Sequence, residues 1–114
     1  MTSTIDRESL LTALRGSAPP RLVEALPERH YAAAHLPGAV NLPHDAVDRL
    51  APSLLPDRAA TIVVYCASAS CRNSDVAATR LRQLGYGRVL VYTGGKEDWA
   101  EAGLPFETGT ALAA

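Results

Sequence analysis

The stretch Thr61-Ile62-Val63-Val64-Tyr65 constrains the fold more than any other part of the chain. It is rich in β-branched residues, too short for a stable helix, and followed by a loop of small residues, so it reads as a strand. Apolar character at successive positions means that both faces are covered, as in a parallel sheet flanked by helices. The flanking sequence supplies those helices. Ile5 to Arg15 places Ile5, Leu10, Leu11 and Leu14 on one helical stripe, with Ser3 or Thr4 as cap and Gly16 and Pro19-Pro20 as the stop. Arg21 to Ala25 and Ala39 to Leu42 read as short strands, separated by a helix over Pro27 to Ala34 and a Leu36-Pro37-Gly38 turn. Ala46 to Leu55 is expected to form one or two helical turns. Beyond the central strand, Asn73 or Ser74 caps a helix carrying Val76, Ala77, Leu81 and Leu84, which Gly85 ends. Arg88 to Tyr92 is a further strand, and Gly94-Gly95 opens a last helix around Trp99 that stops at Gly103. Strands alternating with helices imply an α/β fold, a mainly parallel sheet with helices on both faces.

Length and charge narrow the function. The chain has 114 residues, enough for one domain, and its 47% hydrophobic content is that of a globular protein. The domain is expected over residues 1–107, with a flexible tail over 108–114. Lys and Arg number 11 against 12 Asp and Glu, so no basic excess draws in nucleic acid or a membrane surface. The most continuous apolar run, Ile62 to Ala67, is too short to span a bilayer, and the first eight residues lack a charged-then-apolar leader pattern. A cytoplasmic location is expected. Two cysteines form neither a disulfide scaffold nor a zinc set, so neither metal nor cofactor is expected.

Chemistry in open parallel sheets gathers beyond the carboxyl ends of the strands. Cys66 stands there, directly after the central strand, with a helix beginning within eight residues. Converging backbone N–H groups and the positive helix end favour a thiolate at such a point, so the Cys66 pKa is expected to fall. Ala67, Ser68, Ala69, Ser70 and Cys71 are small enough for the backbone to curl around an anion. Arg72 adds a charge, and Asn73 and Ser74 complete the loop. An inert thiol at a buried strand end is the alternative reading.

Further residues carry a resemblance to a known family. His35-Leu36-Pro37-Gly38-Ala39-Val40-Asn41-Leu42-Pro43 resembles the upstream signature of rhodanese-like domains, and Ile62-Val63-Val64-Tyr65-Cys66 resembles their nucleophile strand. Leu84-Gly85-Tyr86, Tyr92-Thr93-Gly94-Gly95-Lys96-Glu97-Asp98-Trp99 and Ala102-Gly103-Leu104-Pro105 resemble their closing segment. The likeness runs in the family's order over about residues 20–106. It implies a three-layer α/β/α fold and sulfur transfer through a persulfide on Cys66. Cys66 thiolate would take the outer sulfur of a donor such as thiosulfate and pass it to a thiol or protein acceptor, with the loop from Ala67 to Ser74 holding the persulfide.

The chain also departs from the family pattern. The usual loop is Cys-x-x-Gly-x-Arg followed by Ser or Thr, whereas this one runs from Cys66 to Ser74 without Gly and is two residues longer. Either Arg72 or Asn73 then takes the usual Arg position. The family's Asp-x-Arg pair after the early strand is replaced by Glu24 with no Arg. Two alternatives follow from the loop. Cys66 and Arg72 have the Cys-x5-Arg spacing of cysteine phosphatases and arsenate reductases. Cys71 could act as a resolving thiol, or pair with Cys66 to switch off a redox-sensitive binding module, or simply be a small wall residue.

The remaining polar residues read as supports. His35 is expected to bond nearby backbone and fix its loop, Glu24 to pin a turn, and His30 and His44 to be solvated. Lys96, Glu97 and Asp98 read as a charged helix face, and Trp99 and Tyr65 as core.

Overall fold

The computed structural model describes residues 3–109. Five strands form one parallel sheet in the order β1-β5-β4-β2-β3: β1 (Ser3–Ile5), β2 (Arg21–Glu24), β3 (Val40–Asn41), β4 (Thr61–Tyr65) and β5 (Arg88–Tyr92). The helices are α1 (Arg7–Leu14), α2 (Glu28–Ala33), α3 (Val47–Leu54), α4 (Asn73–Gln83) and α5 (Gly95–Glu101).

Side-chain alternation along the strands divides the core in two. Ile62, Val64, Val89, Val91 and Val23 pack against Val47 and Ala51 of α3 and Ala77, Ala78 and Leu81 of α4. Val63, Tyr65, Tyr92 and Leu22 face the other way, against Leu10 of α1, Tyr31 of α2 and Trp99 of α5. The sheet therefore lies between two helical layers, and both faces of β4 are covered, as its unbroken apolar run requires.

The N-terminal reading needs correction. Residues 3–5 pair with β5 as an edge strand, so Ile5 belongs to the sheet and the helix begins at Arg7. Its cap is Asp6, whose carboxylate accepts the Ser9 N–H at 2.8 Å, not Ser3 or Thr4. Pairing with a neighbouring backbone, not any side-chain pattern, makes this segment a strand. At the other end, Glu107 exchanges backbone hydrogen bonds with His35, and the Gly109 N–H donates to the Ala32 carbonyl at 2.8 Å. The start of the expected tail is thus tied to the domain; its remainder, residues 110–114, lies outside the described residues. No described helix is long and apolar enough to cross a membrane.

Topology singles out one end of the sheet. After β2 the chain crosses to β3 through α2 on one face, and after β4 it crosses to β5 through α4 on the other. The crossovers diverge between the neighbouring strands β2 and β4, and the carboxyl ends of two such strands are where open parallel sheets gather their functional residues. Cys66 is the first residue beyond β4.

Candidate active site

β4 delivers Cys66 to this end of the sheet as a buried residue, 2% exposed. The next residues are held from the side of α5: the Lys96 N–H donates to the Cys66 carbonyl at 3.0 Å and the Glu97 N–H to the Ala67 carbonyl at 2.9 Å. This approach requires glycine. Gly95 has φ +62°, and a Cβ there would lie 2.4 Å from the Cys66 carbonyl oxygen. The loop then turns back on itself, with the Cys71 N–H donating to the Ser68 carbonyl at 3.1 Å. Ala67, Ala69 and Ser70 are exposed, while the Ser68 and Ser70 hydroxyls sit 3.1 Å apart at the rim.

Helix α4 begins at Asn73, with Arg72 in the cap position and no side-chain cap bond. Neither Asn73 nor Ser74 caps it, contrary to the sequence reading, because Ser74 is turned inward. Its Oγ lies 3.3 Å from Cys66 Sγ, and its backbone N–H points at the same sulfur. Arg72 is directed away from this centre, its guanidinium 85% exposed and 3.5 Å from Asp75. The expected electrostatic helper is therefore engaged with its own helix instead, the i,i+3 carboxylate being the nearer anion.

The protonation of the loop also differs from expectation. Burial pushes the Cys66 thiol above the ordinary thiol range, and the neighbouring Cys71 sulfur raises it further, outweighing the Ser74 hydroxyl and amide. The thiol lowered by the loop is Cys71. Burial works against its thiolate, but hydrogen bonds from the Cys66 thiol and from the Ala67 and Asn73 amides outweigh that penalty. The convergence of amides read from the sequence exists, but two of them meet at the second sulfur. Cys66 and Cys71 thus act on each other directly, the interaction favouring the thiol form at Cys66 and the thiolate at Cys71. Both thiols are free, Cys66 buried and Cys71 half-buried.

A charged network lies against the same strand ends. Glu24 is fully buried, accepts a hydrogen bond from the Tyr65 hydroxyl at 2.9 Å, and lies 2.8 Å from Lys96 Nζ. Burial raises its pKa, with Lys96 and Tyr65 opposing. The Leu36 N–H in turn donates to the Tyr65 hydroxyl at 3.1 Å, so Glu24 steadies the 35–39 turn through Tyr65 rather than directly. His35 Nδ1 bonds the Tyr31 carbonyl oxygen at 2.8 Å, and its ring stacks on Tyr31. Trp99 and Tyr65 are core, His30 is exposed, and His44 is only half-buried with Nδ1 enclosed and unpaired.

Lys96 and Asp98 correct the reading of a solvated face. Lys96 pairs with Glu24 and also donates to the His30 carbonyl at 2.9 Å. Asp98 accepts from the Tyr92 hydroxyl and from Arg7, the latter at 2.9 Å. A signal for Lys96 existed in the sequence: Glu24 interrupts the apolar run Leu22-Val23-Glu24-Ala25-Leu26, and a buried carboxylate without its usual Arg demands a cation from elsewhere.

A family model described as "Rhodanese-like domain" matches residues 7–102. This chain belongs to the rhodanese-like domain family. It is 35% identical over 105 residues to a "Sulfurtransferase" of Allochromatium vinosum, covering 92% of this chain and 94% of that protein. Among solved structures, it resembles a thiosulfate sulfurtransferase from Pseudomonas aeruginosa with a TM-score of 0.82 and 28% identity, over 94% of this chain. The chain spans only 20% of that protein's length. A rhodanese from E. coli, solved with anions, matches with a TM-score of 0.66 and 29% identity over 79% of this chain and 99% of its own. The rhodanese-like fold and its three-layer arrangement, expected from the resemblance, are thus established.

Proposed function

We propose that this rhodanese-like protein is a sulfurtransferase that carries a sulfane sulfur as a persulfide on Cys66. The observation that carries this reading is the position of Cys66: the first residue beyond the central strand, at the carboxyl ends of β2 and β4 where the crossovers diverge, with Ser74 turned onto its sulfur. Sulfurtransferases among its relatives favour the same class of reaction.

In the first half-reaction the proton of Cys66 passes to the Cys71 thiolate beside it, which leaves Cys66 ionised without exporting a proton. Cys66 Sγ then attacks the outer sulfur of thiosulfate, the sulfur–sulfur bond of the donor breaks, and sulfite leaves with the electron pair. The Ser74 hydroxyl and amide stabilise the anion on Cys66. In the second half-reaction a thiophilic acceptor, a thiol or a protein cysteine, removes the outer sulfur. Two free thiols in hydrogen-bonding reach suit a reducing compartment, and the cytoplasm is the proposed location.

Phosphatase or arsenate reductase chemistry is less well supported, because Arg72 faces Asp75 and solvent rather than a position from which it would grip an oxyanion. Initial rates with thiosulfate and cyanide varied together test the proposal. Parallel double-reciprocal lines, abolished in Cys66→Ser, are expected; intersecting lines, or activity retained by Cys66→Ser, would refute it.

A further inference from the structure

We propose that Cys71 is a second catalytic residue: its thiol attacks the Cys66 persulfide at the inner sulfur and expels sulfide, closing a Cys66–Cys71 disulfide that a dithiol reductant reopens. This rests on the Cys66 persulfide proposed above and assigns a second exit for its sulfur, used when no external acceptor takes it.

Three features of the loop point to this step. First, the turn from Ser68 to Cys71, closed by the Cys71 N–H on the Ser68 carbonyl at 3.1 Å, folds the chain back toward Cys66, and the two thiols hydrogen-bond to each other. Second, the Ala67 and Asn73 amides are directed at Cys71. Amides so placed hold a thiolate next to the nucleophile, where a persulfide on Cys66 would meet it. Third, Cys66 is buried while Cys71 is half-buried, so the resulting disulfide presents one sulfur to an external reductant. Ser74, on Cys66, is left to hold that sulfur in place during attack.

The step balances. After sulfur uptake, Cys71 carries the proton taken from Cys66. Loss of that proton gives the Cys71 thiolate, which forms a bond to Cys66 Sγ as the bond from Cys66 Sγ to the outer sulfur breaks. The outer sulfur leaves with the electron pair, takes up the proton, and departs as hydrosulfide. The sulfane sulfur is reduced, and the two cysteines are oxidised to a disulfide. A dithiol of the reducing compartment then exchanges with the half-buried Cys71 sulfur and restores both thiols. The product of this route is free sulfide, so the reaction that follows must consume sulfide or a sulfide-derived thiol.

The experiment loads reduced wild-type protein and Cys71→Ser with thiosulfate, removes the donor, and follows sulfide release and intact mass with no thiol added. Wild type should release about one equivalent of sulfide per chain and end two hydrogens lighter, with a cross-linked peptide joining residues 66 and 71. Cys71→Ser should retain the added sulfur and release none. The cross-link is read on wild type alone and does not depend on how the variant folds. A wild type that holds its added sulfur as long as Cys71→Ser, or sulfide released equally by both, would overturn the assignment while leaving the Cys66 persulfide intact. Failure of wild type to take up sulfur would remove the persulfide and this step together.

Discussion

Protons at two sulfurs set the reactivity of the loop. Cys66 is the proposed nucleophile, and burial and the adjacent Cys71 sulfur raise its pKa. Removing Cys71 therefore lowers the Cys66 pKa, since the neighbouring sulfur whose hydrogen bond and charge raise it is lost. Cys71→Ser is expected to move the pH profile of sulfur uptake toward lower pH, read as the rate of sulfite release at successive pH values. An unchanged profile would mean that the two thiols titrate independently. The same scale holds the Glu24–Lys96 pair, which is buried on the carboxylate side and 16% exposed on the ammonium side. Lys96→Met leaves a buried carboxylate without its cation and should cost about 3–5 kcal/mol in denaturant unfolding. Asp48→Ala, which breaks the exposed pair with Arg80, should cost far less.

Elements place these residues, and the one that does most is the start of α5. Its Gly94-Gly95 entry lets two amides reach the carbonyls of Cys66 and Ala67, which fixes the backbone where the loop leaves β4. Gly95→Ala puts a Cβ against the Cys66 carbonyl and forces an alanine to a positive φ. The expected result is a loss of about 1–3 kcal/mol from backbone strain alone, together with slowed sulfite release at full occupancy of thiosulfate. Normal stability with normal release would show that the loop does not depend on this contact. Legibility in the sequence follows the same division. β4 and β5 are read at their observed ends because side-chain pattern and backbone pairing agree there. β1 escapes because three residues with one apolar side chain carry no strand pattern, and Ile5 falls in register with the helical stripe that follows. Cys66 is legible because a cysteine at the end of a buried strand stands out. The orientation of Arg72 and the direction of the Ala67 and Asn73 amides are not, since they depend on how a loop without glycine closes.

Across the whole molecule, distant segments combine to make the site. The buried acid comes from β2, its cation from α5, the proposed nucleophile from the end of β4, and the hydroxyl beside it from α4. Nothing local in the sequence joins Glu24 to Lys96; the parallel sheet does, by setting β2 beside β4 and returning α5 to the carboxyl end. The family resemblance transfers the fold, whereas the longer loop with its second thiol departs from the family's usual pattern. The central claim is that sulfur is carried on Cys66. Its most direct test is to mix a limiting amount of thiosulfate with wild type, Cys66→Ser and Cys71→Ser in the absence of any acceptor, count sulfite, and map the added sulfur in Cys71→Ser by peptide mass. Wild type and Cys71→Ser should each release sulfite in proportion to protein, with the added sulfur of Cys71→Ser on the peptide containing Cys66, and Cys66→Ser should release none. Sulfite from Cys66→Ser, or sulfur found elsewhere in Cys71→Ser, would contradict the account.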